Sequence, residues 1–120
     1  MSEFKVRPEF VIKDEAALRS MFDAQTPLAA RKCLSSLDKH SQAFIRRSPF
    51  LCLGTQDLQG RADVSPRGDP VGFVRILDQH TLAIPDRPGN NRLDSLANIL
   101  SNSSVGLLFI DMHERVRRLR

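Results

Sequence analysis

The sequence predicts an α+β domain in which helices come first and an antiparallel sheet follows. Three observations carry this reading. Helix-start signals crowd into the stretch before Pro49. From Phe50 onward, short apolar runs alternate with turn residues. Most connections between those runs are a few residues long, which suits antiparallel neighbours and excludes parallel crossovers.

Each element has its own signal. Residues Met1 to Lys13 read as a loose arm or edge segment. Asp14 to Phe22 reads as a short helix: Asp14 can cap it, Glu15 suits the first turn, and Ala17, Leu18, Met21 and Phe22 form an apolar stripe. Thr26-Pro27 combines a cap residue with proline at the first helical position, so a second helix runs to about Leu34. A third begins at Ser36 and buries Leu37, Phe44 and Ile45. Ser48-Pro49 stops it, because the residue before proline disfavours the helical region.

Phe50 to Thr55 reads as a buried strand, Asp57-Leu58-Gln59-Gly60 as a turn, and Ala62 to Ser65 as the return strand of a hairpin. Two prolines and a glycine in Ser65-Pro66-Arg67-Gly68-Asp69-Pro70 then predict an irregular loop. Phe73–Leu77 and Thr81–Ile84 are two further strands, Pro85 to Asn91 is a dense loop, and Arg92 to Leu100 is a helix with Asn91 as its cap. In that helix Leu93, Leu96, Ile99 and Leu100 make the apolar face. Ser104 to Ile110 is the last buried strand.

Composition bounds the function. The chain has 120 residues, 41% of them hydrophobic and 27% charged, enough to bury a core. No apolar stretch approaches the roughly 20 residues of a membrane-spanning helix. The charged N-terminus does not read as a secretory signal. Two cysteines are too few for a disulfide framework, so a reduced, cytoplasmic setting is the simplest expectation. The formal charge is +4, but residues 111–120 carry four arginines against two acids and supply half of it. The arginines there have no interleaved aromatics, so a nucleic-acid surface built on base stacking is not supported.

Phosphate-loop, dinucleotide, nucleophile-elbow and zinc-protease motifs are all absent, and the three histidines are scattered. Cys33 and His40 do not make a convincing nucleophile and base. No metal site is expected, and no side chain reads as a catalytic residue. Two loops stand out instead, Ser65 to Asp69 and Pro85 to Arg92. Both offer small residues, backbone N–H groups and arginine, and the second leads into a helix N-terminus, where an anion is favoured. Arg92 in a first helical turn opposes the helix dipole, which points to a phosphate with Ser95 as a further donor. The plain alternative is that Asn91 caps the helix and Arg92 is solvated.

Several segments together resemble the pyridoxamine 5′-phosphate oxidase-like family, in its subgroup of FMN-dependent enzymes. They are Ser48-Pro49-Phe50-Leu51, Asp63 to Pro70, Gly72 to Asp78, Leu82 to Leu96, Asn98-Ile99-Leu100 and Val105 to Phe109. The resemblance covers roughly Asp14 to Ile110. It implies a partial antiparallel split β-barrel behind the N-terminal helices, a homodimer, and FMN at the subunit interface. By the same resemblance Ser65, Pro66 and Arg67 lie along the flavin. Ile84, Pro85 and Asp86 lie beside its ring, and Asn91 and Arg92 hold its phosphate. Arg87 is a rim charge. A deazaflavin is the lesser alternative to FMN.

Two departures accompany the resemblance. The position of the lysine that follows the flavin-lining strand in true pyridoxamine phosphate oxidases is about Pro70, which cannot donate, so the substrate is left open. After Ile110 the family continues with further barrel strands, whereas residues 111–120 read as a basic tail unlike it. The expected organisation is therefore an arm over 1–13, a partial flavin-binding domain over 14–110, and a tail over 111–120. It implies an exposed edge along Val105 to Ile110 and weakened flavin binding. The implied function is an FMN-binding oxidoreductase acting on an unknown small molecule. The alternative is a truncated, non-catalytic binding or dimerisation module.

Overall fold

The computed structural model describes residues 4–111 and 117–120. Two compact units are present, residues 1–34 and 35–120.

Among the described residues, the first unit holds a 3-10 turn, Pro8–Phe10, and helices α1 (Glu15–Ser20) and α2 (Pro27–Arg31). The predicted caps form: the Asp14 carboxylate accepts from the Ala17 N–H at 2.7 Å, and the Thr26 hydroxyl accepts from the Ala29 N–H at 3.2 Å. Both helices are shorter than their sequence signals suggest. The apolar stripe of α1 is not buried; Met21 and Phe22 are each about two-thirds exposed. Helices of one or two turns have no surface deep enough to cover such a stripe.

The second unit carries the core. Helix α3 spans Lys39–Arg47 and starts later than expected, capped by Asp38 on the Ser41 N–H at 2.7 Å. Leu37 is drawn out of the helix because its N–H donates to the Gln79 carbonyl at 2.8 Å. Strands β1 (Phe50–Gln56), β2 (Ala62–Gly68), β5 (Gly106–Asp111) and β6 (Arg117–Leu119) form one antiparallel sheet in the order β2-β1-β5-β6. Strands β3 (Arg75–Asp78) and β4 (Thr81–Ala83) form a separate hairpin. Helix α4 (Asp94–Ser101) packs on β1 and β2. This is the α+β class with a partial antiparallel barrel and, among the described residues, no closed ring of strands.

The register explains the core. Arg67, Leu51, Phe109 and Leu119 lie in one row across the four strands. Leu51 is fully buried in the middle of that row, and Ile45, Leu53, Val74 and Phe109 join it. Direct cross-strand partners share a face. Asp63, Ser65 and Arg67 therefore lie on the same face as Thr55, Leu53 and Leu51. The edge strand β2 thus turns its polar residues inward, and Val64 faces solvent at 68% exposure.

Two strand predictions change here. Strand β2 does not stop at Ser65 but runs on through Pro66, Arg67 and Gly68. An edge strand tolerates proline, because half of its N–H groups have no partner strand. Nor is β5 an edge: β6 pairs with it through Phe109, Ile110 and Asp111. The exposed edge expected along Val105 to Ile110 is covered over those residues.

Candidate functional site

A cleft of about 580 Å³ lies between β2 and the segment that runs from Pro85 into α4. Residues 63–69 form one wall and residues 85–96 the other, and Phe73 also lines the cleft. Seven of the eight residues implicated in cofactor binding line it: Ser65, Pro66, Arg67, Pro85, Asp86, Asn91 and Arg92. Ile84 does not. Its side chain packs against the hydrophobic core beside Leu82. It anchors the start of the loop and leaves the cleft to the residues after it.

Strand β2 delivers Arg67 to the cleft. Opposite Leu51 in the register, Arg67 has only 26% of its side chain exposed. Its Nη1 lies 3.5 Å from Asp86 Oδ1. Its Nε is buried and has no hydrogen-bond partner. A buried donor left unpaired costs about 1–3 kcal/mol, and here the donor belongs to a cation beside the cleft.

The second wall departs from the sequence reading. Helix α4 begins at Asp94, so Asn91 is not its cap and Arg92 is not in its first turn. Leu93 occupies the cap position with φ 60 and makes no side-chain capping bond. Asn91 is also left-handed, with φ 62. Asparagine tolerates that conformation, but leucine does so at a cost of about 1–2 kcal/mol. The backbone therefore holds a strained residue where it also leaves the first N–H groups of α4 without a side-chain acceptor. Arg92 donates its backbone N–H to Asn90 Oδ1 at 3.0 Å, and its guanidinium meets Asp94 Oδ2 at 2.8 Å. The opposition between Arg92 and the helix dipole, expected from the sequence, is offset by that acid in the first turn.

Two side-chain bonds seat α4 over the sheet. Ser95, 4% exposed, donates to Asp63 Oδ2 at 3.4 Å, and Asn98 donates to Thr55 Oγ1 at 3.0 Å. Ile99 faces the core. Leu93, Leu96 and Leu100, expected to share that buried face, are 57%, 38% and 90% exposed. Arg87, read as a rim charge, makes a 2.6 Å ion pair with Asp69. Asp69 is itself held by its N–H on the Pro49 carbonyl at 3.1 Å.

Sequence reasoning missed Asp63, Asp69 and Asp94 as parts of the site. Asp63 was legible from alternation along β2, once the strand is known to continue past Pro66. The pairing of Asp69 with Arg87 has no local signal, because eighteen residues separate them.

Among the described residues, no group of three His, Cys, Asp or Glu could hold a metal ion, and no helix is long and apolar enough to cross a membrane. What the cleft offers is three arginines, each already paired with an aspartate, together with backbone N–H groups and hydroxyls, a donor set for an anionic organic ligand that can compete with those carboxylates. A family model described as pyridoxamine 5′-phosphate oxidase matches residues 37–120. No curated protein and no solved structure gives a match.

Proposed function

We propose, for a chain that belongs to the pyridoxamine 5′-phosphate oxidase family, that the cleft between β2 and α4 binds FMN and that the protein is a flavin-dependent oxidoreductase. The observation that carries this reading is Arg67, an edge-strand arginine turned inward with its Nε buried and unpaired. Nε itself is closed off from solvent, so a phosphate or flavin oxygen in the cleft would meet the Nη end of that guanidinium. The uncapped start of α4 and the adjacent Arg92 supply further donors for a phosphate dianion. The cleft, at about 580 Å³, falls within the ~300–1,000 Å³ range of small-molecule sites.

Bound FMN supplies the hydride or electron chemistry. The chain's own part is to bind and orient it. Ser65, Pro66 and Arg67 line one side, and Pro85 and Asp86 the other. Asn91 and Arg92 stand near the helix start. Ile84 contributes through the core by fixing where the loop begins. None of these residues is needed as nucleophile or base.

The exposed row Leu93, Leu96 and Leu100 supports a homodimer as part of the same reading. It runs along α4 from the cleft outward, and a second copy laid on it would both cover the leucines and shield the cleft. A cytoplasmic setting and a small-molecule substrate complete the proposal.

Fluorescence titration of the purified chain with FMN tests it. Saturable quenching at one FMN per chain is expected. No quenching at high micromolar protein would overturn the assignment.

A further inference from the structure

We infer that Asp86 is a displaceable internal anion that occupies Arg67 until a ligand's phosphate takes its place, and that it thereby sets which anions the cleft accepts. The inference rests on the reading that the cleft's ligand carries a phosphate.

The charges lining the cleft are unevenly matched. Three arginines, Arg67, Arg87 and Arg92, face it, and four aspartates, Asp63, Asp69, Asp86 and Asp94, face it with them. Each arginine already has a carboxylate within ion-pair distance: Arg67 with Asp86, Arg87 with Asp69, and Arg92 with Asp94. A small free anion therefore meets no unmatched cation and approaches an excess of carboxylate. It gains little there.

The three carboxylates are not equivalent. Asp94 sits in the first turn of α4, where the helix dipole favours its charge. Asp69 is 20% exposed, tethered by its N–H to the Pro49 carbonyl, and pairs with Arg87 at 2.6 Å. Asp86 is 62% exposed and pairs with Arg67 at 3.5 Å, the longest of the three ion pairs. Asp86 is thus the partner that leaves most readily.

Arg67 on β2, Asp69 just past its end, and Asp86-Arg87 on the loop form two reciprocal ion pairs. The fixed pair holds the loop near β2 while the loose one opens. When Asp86 moves out, a phosphate can take its place at Nη1 of Arg67. A ligand that also fills the cleft with its organic part makes this exchange favourable. A bare phosphate does not.

The test compares wild type with Asp86→Asn in titrations of FMN, riboflavin and inorganic phosphate. Asp86→Asn keeps the side-chain shape and removes the competing charge. The expected result is FMN and inorganic phosphate bound about two- to fivefold more tightly, with riboflavin affected less. Asp86→Ser gives the same direction and guards against a misfolded first variant, and both keep the wild-type unfolding midpoint within a few degrees. If wild type binds FMN and neither variant binds it more tightly, the inference is overturned and the flavin assignment stands. If riboflavin and FMN tighten equally, Asp86 acts on the ring and not on the phosphate, and the inference is likewise overturned. If neither wild type nor variant binds FMN, both readings fall.

Discussion

Replacing Arg67 with methionine separates binding from stability. The substitution keeps an unbranched side chain opposite Leu51 and removes every donor. In the ligand-free protein the Arg67 Nε is buried without a partner, a state worth about 1–3 kcal/mol of destabilisation. The ion pair with Asp86 that the substitution abolishes is long and half in water, and contributes about 0–1 kcal/mol. The net effect of Arg67→Met is a gain of about 1 kcal/mol, which raises the unfolding midpoint by about 4–8 °C in a domain of this size. Binding moves the other way. A charge-assisted hydrogen bond to phosphate contributes about 1.5–3 kcal/mol, so FMN affinity falls by about 10- to 150-fold while riboflavin affinity holds. Differential scanning calorimetry and parallel fluorescence titrations read both effects. A lower midpoint with unchanged FMN affinity would make Arg67 a structural residue and overturn its place in FMN binding.

Other positions give separate outcomes. Leu93→Gly removes a left-handed leucine and should stabilise the chain by up to about 1 kcal/mol, whereas Leu93→Ala should not; urea midpoints distinguish them. Leu51→Ala should cost about 2–5 kcal/mol, since the side chain is fully buried in the central row of the sheet, and urea denaturation measures it. Leu100→Ser should leave the unfolding midpoint almost unchanged and weaken self-association in sedimentation velocity, because Leu100 is 90% exposed. The Ser41 N–H holds the Asp38 carboxyl below its ordinary value of 3.8. Its capping contribution is therefore present above that pH and lost as pH falls through the lowered value. The stability lead of wild type over Asp38→Ala should accordingly shrink in acid, as urea midpoints at pH 6 and pH 2 would show.

The legible parts of the fold were those with local chemistry. Asp14 and Thr26 cap the helices that their types and spacing indicate. The Asp57 to Gly60 turn forms as read, with Gly60 at φ 81. Helix ends were less legible because distant partners set them: Leu37 leaves its helix for the Gln79 carbonyl. Pro66 suggested a loop, since nothing local states that β2 lies at a sheet edge. The candidate cleft was legible as two arginine-bearing loops, and seven of the eight residues named from the sequence line it. Its electrostatics were not, because the acids that neutralise Arg67 and Arg87 lie eighteen or nineteen residues away along the chain. The start of α4 misled for a related reason. Asn91 has the chemistry of a cap, but the chain spends it on a left-handed turn and leaves the cap position to Leu93.

In the proposed function FMN sits between β2 and the start of α4. Amide chemical-shift mapping during an FMN titration tests it most directly. Perturbations concentrated in residues 63–69 and 85–96, with the amides of Lys39–Arg47 in the same unit undisturbed, are predicted. Shifts confined to other surfaces, or none at saturating FMN, would contradict the account.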